Sequence, residues 1–160
     1  MRAIDQAGLK AAKPWLYVRC TNIWNSAMAT LKQLETSANG TTAELADVLD
    51  QLRFNEQGLI PAIAQDHDSG DVLMMAWMDQ NAIQRSLSEG YAVYFSRSRQ
   101  EYWRKGDTSG HLQELVSMSF DCDGDTILLR VRQTGAACHT DRRTCFYLNV
   151  RDQYVVVDSA

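Results

Sequence analysis

Two stretches of strict period-two alternation, Val116, Met118, Phe120 and Ile127, Leu129, Val131, stand on either side of the hexapeptide Asp121-Cys122-Asp123-Gly124-Asp125-Thr126. Alternation at that period puts the apolar side chains of each stretch on one face of a strand. Asp123-Gly124 supplies the turn chemistry that folds two such strands back on each other. The chain must therefore build a sheet with one buried face, and it carries three carboxylates and a thiol at the tip of a hairpin. A second group, Cys138, His139 and Cys145, follows after another turn. Hard carboxylate oxygens suit magnesium and soft thiolates suit zinc. Interleaving the two types within about 25 residues is what a protein holding two different ions needs.

The remaining pattern fills in around this hairpin. Thr41 and Glu44 have capping-box spacing ahead of Leu45, Val48, Leu49 and Leu52, which predicts a short amphipathic helix. Leu59 to Ala64 and Val72 to Trp77 flank an Asp-His-Asp-Ser-Gly-Asp turn and read as a second hairpin. Asp79 caps a helix carrying Ile83 and Leu87 that ends before Gly90. Tyr91, Val93 and Phe95 alternate as a strand, residues 97 to 111 lack periodicity and read as a long loop, and Phe146 to Val150 and Tyr154 to Val157 add two strands around a turn at Arg151 and Asp152. The expected fold is α+β, strand-rich and mostly antiparallel, with two or three short helices. No internal repeat or low-complexity segment is present.

Of the 160 residues, 1 to about 40 mix Ala, Lys, Thr, Asn and Trp with weak periodicity, and 1–45 stand apart from the domain proper. They are read as an N-terminal extension without an assigned role, which need not be ordered, and Met28 is a candidate natural start. Residues 46–160 form the domain proper, long enough to bury a core without disulfides. A net charge of −4 argues against a non-specific nucleic-acid coat, and no apolar run approaches a membrane span, so partners are expected to be small molecules. Four cysteines and a first apolar stretch broken by Arg19 and Asn22 point to the reducing cytosol and to ligand thiols rather than disulfides.

Cys138 and Cys145 are seven apart, wider than a zinc knuckle, so each also fits the reading of a small buried hydrophobe. Three thiolates would leave a fourth position on zinc for water, whereas His139 in that position would close the site as a structural one. Asp121, Asp123 and Asp125 are not a calcium loop: Gly124 precedes the third Asp, and Arg132 stands where a bidentate Glu is needed. The alternatives are a solvated acidic turn and a magnesium site that relieves the repulsion of three carboxylates. In an extended strand Cys122 faces away from Asp121 and Asp123, which puts two metals on opposite sides of one backbone or in reach of different subunits. In the 97–111 loop, Arg97, Arg99, Lys105, Thr108 and Ser109 suit phosphate groups, Gly106 allows close backbone approach, and Trp103 can stack on a base.

Five segments together are similar to the phosphoribosyl-AMP cyclohydrolase family. They are Gly58-Leu59-Ile60-Pro61-Ala62-Ile63-Ala64-Gln65, Val72-Leu73-Met74-Met75-Ala76-Trp77-Met78, Trp103-Arg104-Lys105-Gly106-Asp107-Thr108-Ser109-Gly110-His111, Asp121-Cys122-Asp123-Gly124-Asp125 and the run from Gly135 to Tyr147. The likeness covers about residue 50 to the end. It implies an enzyme of histidine biosynthesis, a cytoplasmic, intertwined homodimer whose zinc is held by Cys122, Cys138 and Cys145 drawn from both subunits, with Asp121, Asp123 and Asp125 on magnesium. The implied reaction is hydrolytic opening of the adenine ring of 1-(5-phosphoribosyl)-AMP between N1 and C6 by a zinc-activated water. The deaminase signatures His-x-Glu and Pro-Cys-x-x-Cys are missing, so proton transfer is assigned to His139, with His111 second. His139 as a group that only orients the site is the alternative. With no second domain after Ala160, a fused pyrophosphohydrolase activity is expected to be absent. A non-catalytic zinc-stabilised binding module and a zinc hydrolase of another purine nucleotide are the competing readings.

Overall fold

The computed structural model describes residues 30–158, so the candidate start at Met28 lies outside the described residues. The chain order is α1 (Leu31–Leu34), α2 (Leu45–Leu49), β1 (Ile60–Asp66), β2 (Val72–Met78), α3 (Gln80–Glu89), β3 (Val93–Ser96), β4 (Glu101–Arg104), β5 (Gln113–Phe120), β6 (Ile127–Gln133), β7 (Leu148–Arg151) and β8 (Tyr154–Val157). The first six strands form one sheet in the order β4-β3-β2-β1-β6-β5, and β7 and β8 form a separate hairpin.

The α+β class and the three helices agree with the sequence pattern, but the sheet is mixed rather than mostly antiparallel. β1 pairs parallel with β6, Ala62 opposite Ile127 and Asp66 opposite Val131, which joins two antiparallel units through the middle of the sheet. The two strands lie some 60 residues apart in sequence, and nothing local encodes their relative direction. The expected 97–111 loop also contains a strand: β4 pairs with β3, Phe95 opposite Tyr102 and Ser96 opposite Glu101. As a short, half-exposed edge it needs no apolar alternation. The expected Thr41–Glu44 capping box is absent. Thr41 spends its hydroxyl on the Ala38 carbonyl at 2.8 Å, while a capping box forms instead at Thr30 and Gln33 of α1.

α3 obeys its caps. The Asp79 carboxylate accepts from the Ala82 N–H at 2.7 Å, and Gly90 at φ 74° ends the helix. Its buried residues Ala82, Ile83 and Ser86 lie on the sheet, and the Val93 N–H donates to the Ser86 hydroxyl at 2.9 Å, fixing where β3 begins. The core lies along the central strands: Ile60, Ala62 and Ala64 of β1 with Met74 and Met78 of β2 beside them, Leu73 at the irregularity of β2, and Ile127, Leu129 and Val131 of β6. Full burial of each branched side chain contributes roughly 1.5–3 kcal/mol. β5 departs from strict alternation, because a register shift between Leu115 and Ser117 turns Leu115, Met118 and Phe120 inward and leaves Val116 exposed.

One corner closes the sheet on itself. Tyr91 bridges Glu114, the Ala92 N–H donates to the Gln113 carbonyl at 3.0 Å, and the Leu115 N–H donates to the Gly90 carbonyl at 2.8 Å. Beneath that seam the fully buried Tyr94 donates to Gln113 Oε1 at 2.7 Å, and Gln113 Nε2 donates to Gln133 Oε1 at 2.9 Å. Burial raises the Tyr94 phenol, so it stays a neutral donor. Tyr94→Phe would leave the Gln113 oxygen buried and unpaired, and is expected to lower the unfolding free energy by about 1–3 kcal/mol. Urea denaturation checks this, with a lower midpoint at unchanged slope as the expected result.

Candidate metal and nucleotide site

The turn between β5 and β6 gathers Asp121, Asp123 and Asp125 so that one ligand atom of each lies within 4.8 Å of the others. The turn itself shapes the cluster. Asp121 Oδ1 accepts from the N–H groups of Asp125 at 2.9 Å and Thr126 at 3.0 Å, and Gly124 takes φ 73°. Burial pushes the Asp121 carboxyl up, but the Thr126 N–H and hydrogen bonds with Asp125 and Asp123 outweigh it, and the net direction is down. Arg53 reaches Asp123 at 3.1 Å, and among the described residues it is the one cation in an ion pair with the three carboxylates. Hard oxygens with surplus negative charge fit magnesium. α1 covers the turn from the other side: a Cβ on Gly124 would come within 2.7 Å of Leu31 Cδ1. An open cavity of about 430 Å³ lies between Leu31, Leu34, Val48, Phe120, Asp121 and Cys122.

The loop after β6 gathers the other two thiols. The Ala137 N–H donates to the Arg143 carbonyl at 3.3 Å and the Cys138 N–H to the Arg142 carbonyl at 3.0 Å, which closes the loop and sets Cys138 against Cys145. Burial raises the Cys138 thiol, yet hydrogen bonds from Thr140, the contact with Cys145 and the Arg142 charge outweigh this, and it lies below its ordinary value. Although part of Cys145 is open to solvent, its thiol is pushed up to about 11, by burial first and then by the charge and hydrogen bond of Cys138. Two sulfurs in contact, one of which resists ionising beside the other, form a soft donor pair whose conflict a dication removes, so the pair fits zinc.

Cys122 does not join that pair. β6 spans seven residues, about 20 Å of strand, with the Asp turn at its start and the Cys138 loop at its end. The Cys145 N–H donates to the Leu73 carbonyl at 2.8 Å, near the start of β2, whereas the Gly124 carbonyl accepts from the Arg53 N–H at 2.7 Å, before β1. Among the described residues, the Asp triad is the sole converging group of three His, Cys, Asp or Glu ligands.

The loop residues divide. Arg97 and Trp103 line a cavity of about 620 Å³ with Gln57, Met75, Trp77 and Phe95, and the Arg97 guanidinium lies 4.7 Å from the Trp77 ring centroid. Sequence reading placed no role on Gln57 or Trp77. The available signal was an aromatic on the half-exposed side of a strand. Arg99 instead pairs with Glu101 at 2.7 Å on the surface. Lys105 turns the other way: its ammonium donates to the His111 carbonyl at 3.3 Å, burial lowers it, and the charges of Cys145 and Cys138 partly restore it. Thr108 and Ser109 sit on an exposed turn, with the Ser109 hydroxyl accepting from the His111 N–H at 3.2 Å. Gly106 and Gly135 leave room for His111. A Cβ on Gly106 would meet the His111 and Leu112 backbone at 2.6 Å, and one on Gly135 would meet the His111 ring at 2.5 Å. His139 is exposed, with Nδ1 3.9 Å from the Cys138 sulfur.

The family model for phosphoribosyl-AMP cyclohydrolase matches residues 74–147, the stretch that contains the Asp turn, the Lys105 loop and the thiol pair. The chain is 57% identical over 129 residues to the phosphoribosyl-AMP cyclohydrolase of Chromohalobacter salexigens, covering 81% of this chain and 88% of the relative. The chain belongs to the phosphoribosyl-AMP cyclohydrolase family. It is therefore a hydrolase, and likeness to other members of the family is comparable. Identity is 59% over 116 residues with the Alkalilimnicola ehrlichii member, covering 72% and 82% of the two chains, and 62% over 103 residues with that of Acidiphilium cryptum, covering 64% and 89%. Among the described residues no helix is long and apolar enough to cross a membrane.

Two predictions follow from this geometry. Gly106→Ala combines φ 93° with a backbone clash, whereas Gly110, at φ 76°, has open space around it. Gly110→Ala should cost about 1–3 kcal/mol of strain and Gly106→Ala clearly more, as read from paired thermal melts. The second concerns Asp66, whose carboxyl is held below its usual range by the Ser69 N–H first, against burial, and then by the Asp68 N–H and Arg143. A depressed native value means stability that is present above the unfolded value of about 3.9 and lost as pH falls through the native one. The stability gap between wild type and Asp66→Asn should thus be flat near neutrality and shrink below about pH 4 in urea titrations; a gap that widens with acid contradicts the assignment.

Proposed function

We propose that this chain, in the cytoplasm, opens the adenine ring of 1-(5-phosphoribosyl)-AMP between N1 and C6, a hydrolytic step of L-histidine biosynthesis. The observation that carries the reading is the separation of the thiols: Cys138 and Cys145 pair at one end of β6 and Cys122 lies at the other, so a three-thiol zinc site closes only between two copies of the chain. A homodimer is supported independently by β7 and β8. Their register puts Leu148, Val150, Val155 and Val157 on one face, and exposure there runs from 58% to 77%. An isolated two-stranded hairpin is marginal in water, so this aliphatic face calls for a partner, and a second copy meets it. Residues 46–160 carry the activity, and 1–45 form an extension to which no catalytic role is given.

Cys138 and Cys145 of one subunit with Cys122 of the partner subunit would hold zinc, and Asp121, Asp123 and Asp125 would hold magnesium. Zinc, when bound, lowers the pKa of a bound water from far above neutrality towards about 7. The residues of the chain do the rest. Arg97 and Trp103, with Trp77, offer a cation and aromatic faces for one phosphoribosyl group and the base. Lys105 places a second cation beside the thiol pair, and Arg99, Thr108, Ser109 and the Gly106 backbone complete the phosphate contacts. As water adds at C6 and the N1–C6 bond breaks, both protons leave the water oxygen, one for N1 and the other for the exocyclic imino nitrogen of C6, or for solvent where that nitrogen is already protonated, and C6 becomes a carboxamide. His139, beside Cys138, is the shuttle, and His111 is the second choice.

Cys122→Ala and Cys138→Ala should each abolish turnover, and Cys138→Ala should also abolish zinc retention. Mixed after subunit exchange, the two variants should regain about a quarter of wild-type activity, since half of the dimers are mixed and each of those has one intact site of two. Absorbance on adding 1-(5-phosphoribosyl)-AMP reads the result; normal activity of Cys138→Ala, or no recovery on mixing, refutes the shared zinc site.

A further inference from the structure

The thiol loop is fastened to the rest of the molecule through the turn between β1 and β2. The Arg143 Nε donates to Asp71 Oδ2 at 3.0 Å, its Nη2 donates to the Ser69 hydroxyl at 2.9 Å, and the same nitrogen lies 3.6 Å from Asp66 Oδ2. The turn is built to receive it. Asp66, 7% exposed, has its other oxygen filled by the N–H groups of Asp68 and Ser69 at 3.0 and 2.9 Å, and the Ser69 hydroxyl donates to Asp71 at 2.8 Å. The next residue continues the attachment: the Thr144 hydroxyl donates to the Val72 carbonyl at 2.7 Å, and Cys145 follows with its own bond to Leu73. The Arg143 carbonyl meanwhile accepts from Ala137, the residue before Cys138. One residue therefore joins both ends of the thiol loop to a preformed anionic turn.

We propose that Arg143, held by Asp66, Ser69 and Asp71, is a positioning residue that sets the Cys138–Cys145 pair for metal capture, an inference that rests on the zinc reading above. An ion pair this exposed adds little stability, with Arg143 at 48% and Asp71 at 54% side-chain exposure, so its effect falls on geometry. A planar fork reaching three acceptors is not replaced by a lysine ammonium.

The test measures zinc affinity by chelator competition on the full-length chain, wild type against Arg143→Lys, Arg143→Ala and Asp71→Asn. Groups that orient metal ligands typically change affinity by about 10- to 100-fold, and the expected order of loss is Arg143→Ala beyond Arg143→Lys, with thermal midpoints nearly unchanged. The cobalt-substituted wild type and Arg143→Lys should differ in their thiolate-to-metal absorption. A metal-free readout separates the two readings: capture of phenylarsine oxide, which needs two adjacent thiols, should be about tenfold weaker in Arg143→Ala. Wild-type affinity and arsenical capture in every variant overturn the role of Arg143. No zinc binding by the wild type, with weakened arsenical capture in the variants, overturns the zinc reading and keeps the positioning role. Should Arg143→Ala fail to fold, Arg143→Lys and Asp71→Asn carry the same comparison.

Discussion

The parallel pairing of β1 with β6 decides where every candidate functional group stands. Because the two strands run the same way, the turn that enters β6 lies near the start of β1 and the loop that leaves β6 emerges beside the turn between β1 and β2. The carboxylates therefore sit with Arg53 at one end, and the thiol pair sits with Asp66, Ser69 and Asp71 at the other. Reversing that single pairing would carry the thiols away from the turn that holds them. Deep burial of Ala62, Ala64, Ile127, Leu129 and Val131 along this seam makes such reversal or slippage costly, since a one-residue slip would turn the apolar set outward.

The second organising contact is the closure of the sheet at Tyr91 and Glu114. It brings the end of β4 round to the end of β6, so that Lys105 and His111 approach the thiol loop although the strand order puts β4 and β5 on opposite edges. Gly106 and Gly135 permit this approach by leaving out side chains where the backbone and ring of His111 pass. The Tyr94–Gln113–Gln133 chain satisfies the polar groups buried under the seam, and Gln133 continues it to the Thr134 carbonyl at 2.8 Å, where the thiol loop begins. Packing, buried polar pairing and site geometry are thus one continuous construction.

Local structure was largely legible in the sequence because it is written in short-range chemistry. The Asp123-Gly124 hairpin, the Asp79 and Gly90 caps of α3, and the strands around the Asp66–Asp71 turn all follow from adjacent residues. The Asp121–Asp125 cluster and the Cys138–Cys145 pair were legible for the same reason, since each lies within one short run of sequence. What stayed hidden is long-range or mixed in polarity. Parallel pairing has no local signature, β4 is an edge strand without apolar alternation, and the register shift in β5 exchanges Val116 for Leu115 on the inner face. Trp77 joined Arg97 only when β2 and β3 paired, and Arg143 found its three partners some 70 residues away. The Lys105 position shows the limit from the other side: its residue type suits phosphate, yet its surroundings tie it to the thiol pair.

The central proposal is that each of the two zinc sites of a dimer is completed by both copies of the chain. Anomalous diffraction at the zinc edge from zinc-loaded crystals addresses it most directly. The account predicts one zinc per chain, with sulfur ligands at about 2.3 Å from Cys138 and Cys145 of one subunit and Cys122 of the partner subunit, and a water in the fourth position. Zinc held within a single chain, or four protein ligands with no water, would contradict it.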